Sequence, residues 1–470
     1  MKLRDLLAVV SAGALVAGCA STGAESSTAS ASTTASSASS DKDTQEAAYP
    51  STYQAYPSTD VAITGVTIFD GEGQRIDNGT VFMSDGKIVS VGGPETAIPA
   101  DSNVIDGTGK YVTPGIIDVH SHLGDYPTPS VTAHSDGNEA TAPVTSEVWA
   151  EHSVWPQDPG FTRALTNGGI TALQILPGSA NLFGGRSVTL KNVPARTVQA
   201  MKFPGAPYGL KMACGENPKR VYGSRNRKPS TRMGSLSLTR QTWINAQDYQ
   251  KKRKAAKPPK RDLAMETLAD VLDGEILVHN HCYRADELNQ IIDMSKEFGY
   301  KVTAFHHAVE AYKIADILAK EEICSAVWAD WWGFKMEAYD AIPENAALLQ
   351  QAGACVIIHS DDENQIQRLN QEAAKALSDG RAMGLEISDA QAIRWITYNP
   401  AKAMGIADQT GSLKPGKMAD VVLWNDNPLS VYARPEKVWV DGALLYDAND
   451  PARRPVSDFE LGQPGEGDVK

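Results

Sequence analysis

The hydrophobic and polar positions near the two ends of the chain predict β-strands. β-branched and aromatic residues are concentrated there in short runs, at residues 61–69, 81–83, 87–91, 419–424, 438–440 and 443–446. Asp85-Gly86 and Asp441-Gly442 separate consecutive runs, as the central residues of tight hairpin turns do. The pattern predicts one small β-sandwich assembled from residues 58–112 and 408–450.

The middle of the chain, residues 113–407, alternates short apolar runs with longer stretches of helical periodicity. Strands are predicted at residues 115–119, 171–176, 275–278, 301–305 and 354–358. Helices are predicted at residues 263–272 and 288–298, where apolar residues recur at spacings of three and four. The predicted fold class is α/β, a (β/α)8 TIM-like barrel with the small β-sandwich formed by both ends of the chain. A doubly wound sheet is the alternative, but no G-x-G-x-x-G turn follows the first strand.

Composition limits the kind of molecule this is. The 470 residues are 42% hydrophobic and 21% charged, enough to bury a large core, and the net charge of −13 argues against a nucleic-acid partner. Five scattered cysteines are too few to predict a disulfide scaffold, and no C-x-x-C pair predicts a zinc knuckle. A homo-oligomer is compatible with the sequence.

The first residues predict a targeting segment rather than part of the fold. Lys2 and Arg4 precede an apolar run, residues 6–16, that is too short to span a bilayer. Residues 1–18 followed by Cys19 resemble a bacterial lipoprotein signal, and the alternative is an ordinary secretory signal. The resemblance implies an exported lipoprotein that faces the periplasm or cell surface and meets the membrane only through acyl chains on Cys19. Residues 19–57, rich in Ser, Thr and Ala, predict a disordered tether, and residues 451–470 a tail.

Histidines gather at the ends of the predicted barrel strands. Residues two apart on a strand point the same way, so His120 and His122 share a face, as do His279 and His281. His306-His307 ends a third strand, and adjacent strand residues point oppositely, so only one of the two is expected to face the interior. Asp361 follows a fourth strand. Because barrel active sites lie at the carboxyl ends of strands, these residues together predict a metal site.

Several motifs resemble one enzyme superfamily. Residues 111–122 are similar to the opening signature of the amidohydrolase superfamily, and residues 397–406 and 411–423 are similar to its closing stretches. Residues 209–223 and 229–234 resemble its imidazolonepropionase-like branch. The resemblance covers the chain from about residue 60 to residue 446 and implies a metal-dependent barrel hydrolase that acts on carbon–nitrogen bonds.

The resemblance also implies roles for individual residues. It assigns His120, His122 and Asp361 to one divalent metal ion and His279 and His307 to a second. A lysine carboxylated by carbon dioxide, or a glutamate, bridges the two, and both Lys211 and Glu216 remain candidates here. Zinc is the expected metal, with manganese and iron as alternatives. A hydroxide shared by the metals is expected to attack, with Asp361 as proton shuttle, and His281 is expected beside the substrate.

Two regions are expected to select the substrate. Residues 217–261 carry fourteen Lys and Arg and a single acidic residue. Lys219, Arg220 and Arg232 lie nearest in sequence to the predicted barrel mouth, and one of them, with Arg220 and Arg232 preferred, is predicted to clamp a substrate carboxylate. Trp332 lies in an aromatic run, residues 328–339, that predicts a loop over the site.

The predicted reaction is hydrolysis of an amide bond in a small N-acyl amino acid or dipeptide. A cyclic amide of the imidazolone type is the alternative within the superfamily. A deaminase is disfavoured. Mononuclear deaminases of this superfamily carry a glutamate three residues after the histidine of the fifth strand, and Cys282 occupies that position here. From a different class, a catalytically silent surface binding lipoprotein is the rival.

Overall fold

Two sheets and a set of surrounding helices organise the structure, a computed structural model that describes residues 49–453. The predicted signal, most of the predicted tether and most of the predicted tail lie outside these residues. The strands of the amino-terminal part are β1 (Val61–Phe69), β2 (Arg75–Ser84), β3 (Lys87–Gly92), β4 (Asn103–Asp106) and β5 (Tyr111–Pro114). The barrel strands are β6 (Ile116–Ser121), β7 (Ile170–Ile175), β8 (Phe183–Lys191), β9 (Gly209–Ala213), β10 (Leu277–Cys282), β11 (Ala304–His307), β12 (Cys324–Val327) and β13 (Cys355–Ile358). The last strands are β14 (Val421–Trp424), β15 (Pro435–Val440) and β16 (Ala443–Asp447).

Most of the helices follow barrel strands. They are α1 (Pro159–Gly168), α2 (Val198–Met201), α3 (Glu216–Gly223), α4 (Arg232–Arg253), α5 (Leu263–Leu272), α6 (Ala285–Phe298), α7 (Ala315–Lys320), α8 (Asn345–Gln351), α9 (Leu369–Ala382), α10 (Asp389–Arg394) and α11 (Tyr398–Ala403). Helix α5 has the predicted bounds, because its apolar positions at helical spacing pack inward and Asp262 caps its first turn. Across residues 49–453, no helix is both long enough and apolar enough to cross a bilayer.

The strands from the two ends of the chain join in one sheet with the order β16-β15-β14-β5-β1-β2-β3, and β4 also pairs with β1. Asp85-Gly86 and Asp441-Gly442 form the predicted two-residue turns, and all four residues have positive φ. One face of this sheet buries its own cluster of apolar side chains, including Ile63, Val81 and Leu423.

The barrel sheet has the order β13-β12-β11-β10-β9-β8-β7-β6. Strands β9 to β13 are parallel to one another, and β6 is parallel to β7. Strand β8 is antiparallel to both of its neighbours, a departure from the regular parallel barrel that was predicted. The predicted fold class, an eight-stranded barrel with a smaller β domain from both chain ends, is otherwise confirmed.

The gap between the first and last barrel strands is closed by backbone hydrogen bonds to intervening residues. The amide of Ile117 in β6 donates to the carbonyl of Ile396, and the amide of Ile358 in β13 donates to that of Trp395. At the carboxyl end, the amide of Asp361 donates to the carbonyl of His120 at 3.0 Å. This closure brings the two ends of the barrel sheet, and the polar residues on them, together.

Candidate active site

A cavity of about 210 Å³ lies at the carboxyl ends of the barrel strands. The residues that line it are His120, His122, Ser179, Lys211, Asn217, His281, Tyr283, His307, Trp328, Trp331, Phe334, Lys335 and Asp361. They come from or follow β6, β7, β9, β10, β11, β12 and β13, so the carboxyl ends of these strands converge here as predicted from the sequence.

His120, His122 and Asp361 form a compact group. Oδ1 of Asp361 is 3.3 Å from Nε2 of His120 and 3.1 Å from Nε2 of His122. Two ligands bound tetrahedrally to one zinc ion at about 2.1 Å are separated by about 3.4 Å. The three side chains therefore already have the spacing of a metal ligand set.

The hydrogen bond made by the other ring nitrogen of His122 defines what its Nε2 can do. Nδ1 of His122 is 2.8 Å from the carbonyl oxygen of Leu176, and a carbonyl can only accept, so Nδ1 carries the proton. Nε2 of His122 therefore points at Oδ1 of Asp361, 3.1 Å away, and imidazole nitrogens and a carboxylate oxygen grouped at this distance fit the donor set of a divalent metal ion.

His307 and Asp361 reach the cavity through unusual backbone conformations. Their φ angles are +71° and +58°, and Ala308 follows at +37°, all in the region that favours glycine. Non-glycine residues held there are strained, and such strain concentrates at functional sites. The ring of His307 stacks on Trp328, with 4.3 Å between ring centroids.

The expectation that only one of His306 and His307 faces the interior is wrong. His306 follows the alternation of β11 and points into the barrel, where its ring contacts His120 and His279. His307 leaves the extended region, so the alternation rule does not apply to it, and its ring turns into the cavity.

On β10 the two predicted histidines occupy different depths. His279 pairs in register with Lys211 of β9, but its ring lies outside the cavity lining and contacts His306, with 2.9 Å between Nδ1 of His279 and Nε2 of His306. Burial, with the Lys211 ammonium nearby, lowers the pKa of His279 to about 3. His281 lines the cavity instead, with its ring centroid 4.5 Å from that of His307. The structure therefore brings His281, and not the expected His279, to the metal-ligand group.

The two candidate bridging residues are separated by the fold. Nζ of Lys211 is 3.4 Å from Nε2 of His120, and burial lowers the pKa of this lysine to about 8. Glu216, at the start of α3, lies outside the cavity lining, with Oε1 4.0 Å from Nζ of Lys335. Glu216 follows the end of β9, and its side chain lines a neighbouring cleft. Of the two candidates, the structure therefore brings only Lys211 to the histidines.

Several supporting residues had no prediction. Asp118 accepts hydrogen bonds from the amide of His120 at 3.1 Å and from the amide and hydroxyl of Ser360, and so links the two strand ends that carry the ligand group. Burial raises the pKa of Asp118 to about 7. Asp118 could have been predicted as part of the site from its position, because it lies two residues before His120 on the same strand face. Nε2 of His359 is 3.1 Å from Nδ1 of His307, and burial lowers the pKa of His359 to about 4.

The predicted substrate residues are not in the cavity. Arg220 is exposed on α3, and Arg232 forms ion pairs with Glu287, at 2.8 Å, and with Glu337. Trp332 is 61% exposed, because the loop turns it outward. The same aromatic run does contribute to the cavity, through Trp328, Trp331, Phe334 and Lys335. A second, mainly apolar cavity of about 340 Å³ shares His307, Trp328 and Trp331 with the first, and Trp332 is part of its lining.

The cysteines were judged too few and too scattered to predict disulfides, but the structure contains two. Disulfides join Cys214 to Cys282 and Cys324 to Cys355, although the partners are 68 and 31 residues apart in the sequence. In each case the two cysteines lie on or next to adjacent barrel strands, which sequence spacing alone does not reveal. Cys282 directly follows His281, so the first disulfide fastens the edge of the cavity.

Comparisons with known proteins point to one family. The sequence profile of the amidohydrolase family matches residues 111–445. An amidohydrolase from Thermotoga maritima has a solved structure that superimposes with a TM-score of 0.75 and 34% sequence identity, covering 82% of this chain and all of that one.

Two curated relatives add to this picture. The amidohydrolase tasK of Hapsidospora irregularis is 32% identical over 399 residues, which are 79% of this chain and 39% of tasK. An imidazolonepropionase from Brucella anthropi is 24% identical over 386 residues, 74% of this chain and 87% of that one. The chain thus spans well under half the length of tasK.

Proposed function

This chain belongs to the amidohydrolase family, and from that premise we propose that it hydrolyses the carbon–nitrogen bond of a small amide, an N-acyl amino acid or dipeptide, at the barrel cavity. The observation that carries the proposal is the grouping of Nε2 of His120, Nε2 of His122 and Oδ1 of Asp361, with 3.3 and 3.1 Å between the carboxylate oxygen and the two nitrogens. This donor set and this spacing are those of ligands to one divalent metal ion.

Two groups of residues would hold metal ions. His120, His122 and Asp361 form one, and Lys211, His281 and His307 form the other, with His281 in the role expected of His279. The lowered pKa of Lys211 leaves part of its amine uncharged near neutral pH, which favours carboxylation by carbon dioxide. Divalent metal ions bound here, zinc being the proposed identity, supply Lewis acidity and lower the pKa of a water molecule.

Asp361 is positioned to move the proton. Its Oδ1 faces His120 and His122, whereas its Oδ2 lies 3.9 Å from Nδ1 of His307 and borders the cavity. Burial raises the pKa of this carboxyl, but the surrounding His307 and His122 outweigh burial and hold the pKa below its ordinary value. Asp361 therefore stays ionised, takes a proton from the attacking water and delivers it to the leaving nitrogen.

A substrate screen tests the proposal. Protein that begins at Ala47, loaded with zinc or manganese, is incubated with N-acyl amino acids, dipeptides and cyclic imides. Released amine measures hydrolysis of the linear amides, and formation of the ring-opened amide acid measures hydrolysis of the imides. Hydrolysis of the linear amides, abolished by a chelator and restored by metal, supports the proposal. Turnover of cyclic imides alone, or of none of the three classes, contradicts it.

We also propose that the chain is exported and anchored through Cys19. The two disulfides support this, because disulfides persist in oxidising compartments outside the bacterial cytoplasm. Labelling of cells with radioactive palmitate should tag the wild-type protein and not a Cys19→Ala variant. Equal labelling of both would remove the anchor from the proposal.

A further inference from the structure

We propose that Lys335 binds the carboxylate of the substrate at the rim of the cavity, so that the enzyme prefers amides that carry a free carboxylate. This inference rests on the proposed amide hydrolysis, and it gives to Lys335 the task that the sequence suggested for Arg220 and Arg232.

Lys335 lies within the cavity that holds the candidate ligands. Its side chain is only 17% exposed, and its Nζ lies over the ring of Tyr283, 4.0 Å from the centroid. The other lysine of the lining, Lys211, is at the bottom beside His120. Lys335 is therefore the cation that an entering substrate meets at the rim.

Within residues 49–453, no carboxylate oxygen lies closer than 4.0 Å to Nζ of Lys335. Oδ1 of Asn217 accepts a hydrogen bond from Nζ at 3.3 Å, whereas the carboxylate oxygen of Glu216 is 4.0 Å away. Glu337, two residues along, is already paired with Arg232 and accepts from the amide of Glu216 at 2.9 Å. Burial lowers the pKa of Lys335, as expected for an ammonium partly removed from water without a close counter-ion.

The ion pairs of Arg232 explain why this arginine is not the clamp. By holding Glu337 and Glu287, it ties the loop that carries Lys335 to α6 and to the start of α3. Arg232 thus positions the lysine, and its own guanidinium is occupied.

The remaining walls indicate what the carboxylate is attached to. Trp328, Trp331 and Phe334 also border the cavity, with Trp328 stacked on His307, and large aromatic surfaces bind apolar groups. A ligand with a carboxylate for Lys335 and an aromatic or aliphatic group for these rings fits the lining best. The substrate class that follows is the N-acyl derivative of an apolar amino acid, or a dipeptide ending in one.

Binding of two matched probes tests the role of Lys335 without turnover. The probes are 4-phenylbutyrate and 4-phenylbutanol, which lack a carbon–nitrogen bond, titrated into metal-containing protein while tryptophan fluorescence is followed. Wild-type protein should bind the acid more tightly than the alcohol. Lys335→Met should weaken acid binding at least ~10-fold, in line with the loss of a charge-assisted hydrogen bond, and alcohol binding less than ~2-fold.

Three further variants sharpen the result. Lys335→Arg should keep most of the acid preference, because it keeps the charge. Lys335→Gln repeats the neutral comparison with a side chain that still reaches Asn217, in case methionine destabilises the loop. Lys219→Met, in the neighbouring cleft outside the cavity, should leave both affinities unchanged.

The proposal is overturned if Lys335→Met and Lys335→Gln bind the acid as wild type does, if they lose acid and alcohol equally, or if wild-type protein shows no preference for the acid. Because neither probe is hydrolysed, these results are independent of the substrate screen. A failed screen with intact acid preference would remove the proposed reaction and leave the carboxylate site.

Discussion

Nδ1 of His306 lies 2.8 Å from Nδ1 of His120, inside the barrel and directly below the candidate metal ligands. The other nitrogen of His306 is 2.9 Å from Nδ1 of His279, so three histidines form a buried chain. For Nε2 of His120 to bind a metal ion, its Nδ1 must carry the proton and donate it to His306. The chain then fixes the tautomer of His120, as partners of metal-bound histidines generally do.

Removal of His306 should therefore weaken metal binding without touching a ligand. We expect His306→Ala to reduce metal affinity ~10- to 100-fold, measured by chelator competition. His306→Asn, whose amide oxygen can still accept from His120, should lose less. His134→Ala, outside the cavity, is the control, and equal metal affinity in all three variants would contradict the argument.

The bridging role of Lys211 predicts a contrast with Glu216. Lys211→Ala should lose most of one metal equivalent per chain, whereas Glu216→Ala should keep near wild-type metal content, because only Lys211 reaches the histidines. Metal content is measured by atomic emission after gel filtration. The reverse ranking would return the bridge to Glu216.

The pKa of Lys211 also predicts how pH acts on carboxylation. The reactive amine is the uncharged form, so its fraction rises with pH, from about a tenth at pH 7 to about one half at pH 8. Added bicarbonate should therefore promote metal uptake by chelator-treated protein more strongly at pH 8.5 than at pH 7. Lys211→Ala, which has no amine at this position, should show no bicarbonate effect at either pH.

Asp361 and its neighbour Asp362 make a matched pair. Asp361→Asn should keep the fold while lowering turnover by at least ~10²–10⁴-fold, because an amide does not shuttle the proton. Asp362 is outside the cavity lining and accepts from the amides of Asn364 and Gln365 at 2.9 and 2.8 Å, and asparagine can make the same bonds. Asp362→Asn should be nearly as active as wild type, and turnover is compared on whichever amide the screen identifies.

The buried histidines predict loss of stability in mild acid. Burial lowers the pKa of His279 to about 3 and that of His359 to about 4, against about 6.5 in an unfolded chain. At pH values between the folded-state and unfolded-state pKa of these histidines, the unfolded state binds more protons than the folded state. The free energy of unfolding of metal-free protein should therefore fall as pH drops below about 6.5. Asp118, whose pKa is raised to about 7, and buried carboxyls such as Asp125 and Asp420, whose pKa values burial also raises, oppose this trend. Burial lowers the pKa of four further histidines, which add to the trend: His120, His281, His306 and His307.

Urea unfolding of metal-free protein at pH 7.5, 6 and 5 measures this dependence. His279→Gln removes one of the groups that must stay neutral, so its stability should decline less steeply with falling pH. A decline equal to that of wild type would show that His279 does not contribute.

The extent to which this protein could be predicted from its sequence depended on the range of the interactions involved. Two-residue turns such as Asp85-Gly86 and the periodicity of residues 263–272 are set by nearest neighbours, so they were predicted with their bounds. The pairing of His120 with His122 is also local, because alternation along one strand puts both on one face. Fold class followed from the repetition of such local patterns.

Only the tertiary structure decided which groups meet. His279 and His281 share a face, but the register of β10 against β9 places one outside the cavity lining and the other within it. The tertiary structure also brings Lys211, and not Glu216, to the histidines, and it places Arg232 in ion pairs. It likewise decides which cysteines form the two disulfides. These contacts join residues far apart in the chain, and their geometry depends on strand register, barrel closure and a positive φ at His307, none of which is encoded in a local pattern of residue types.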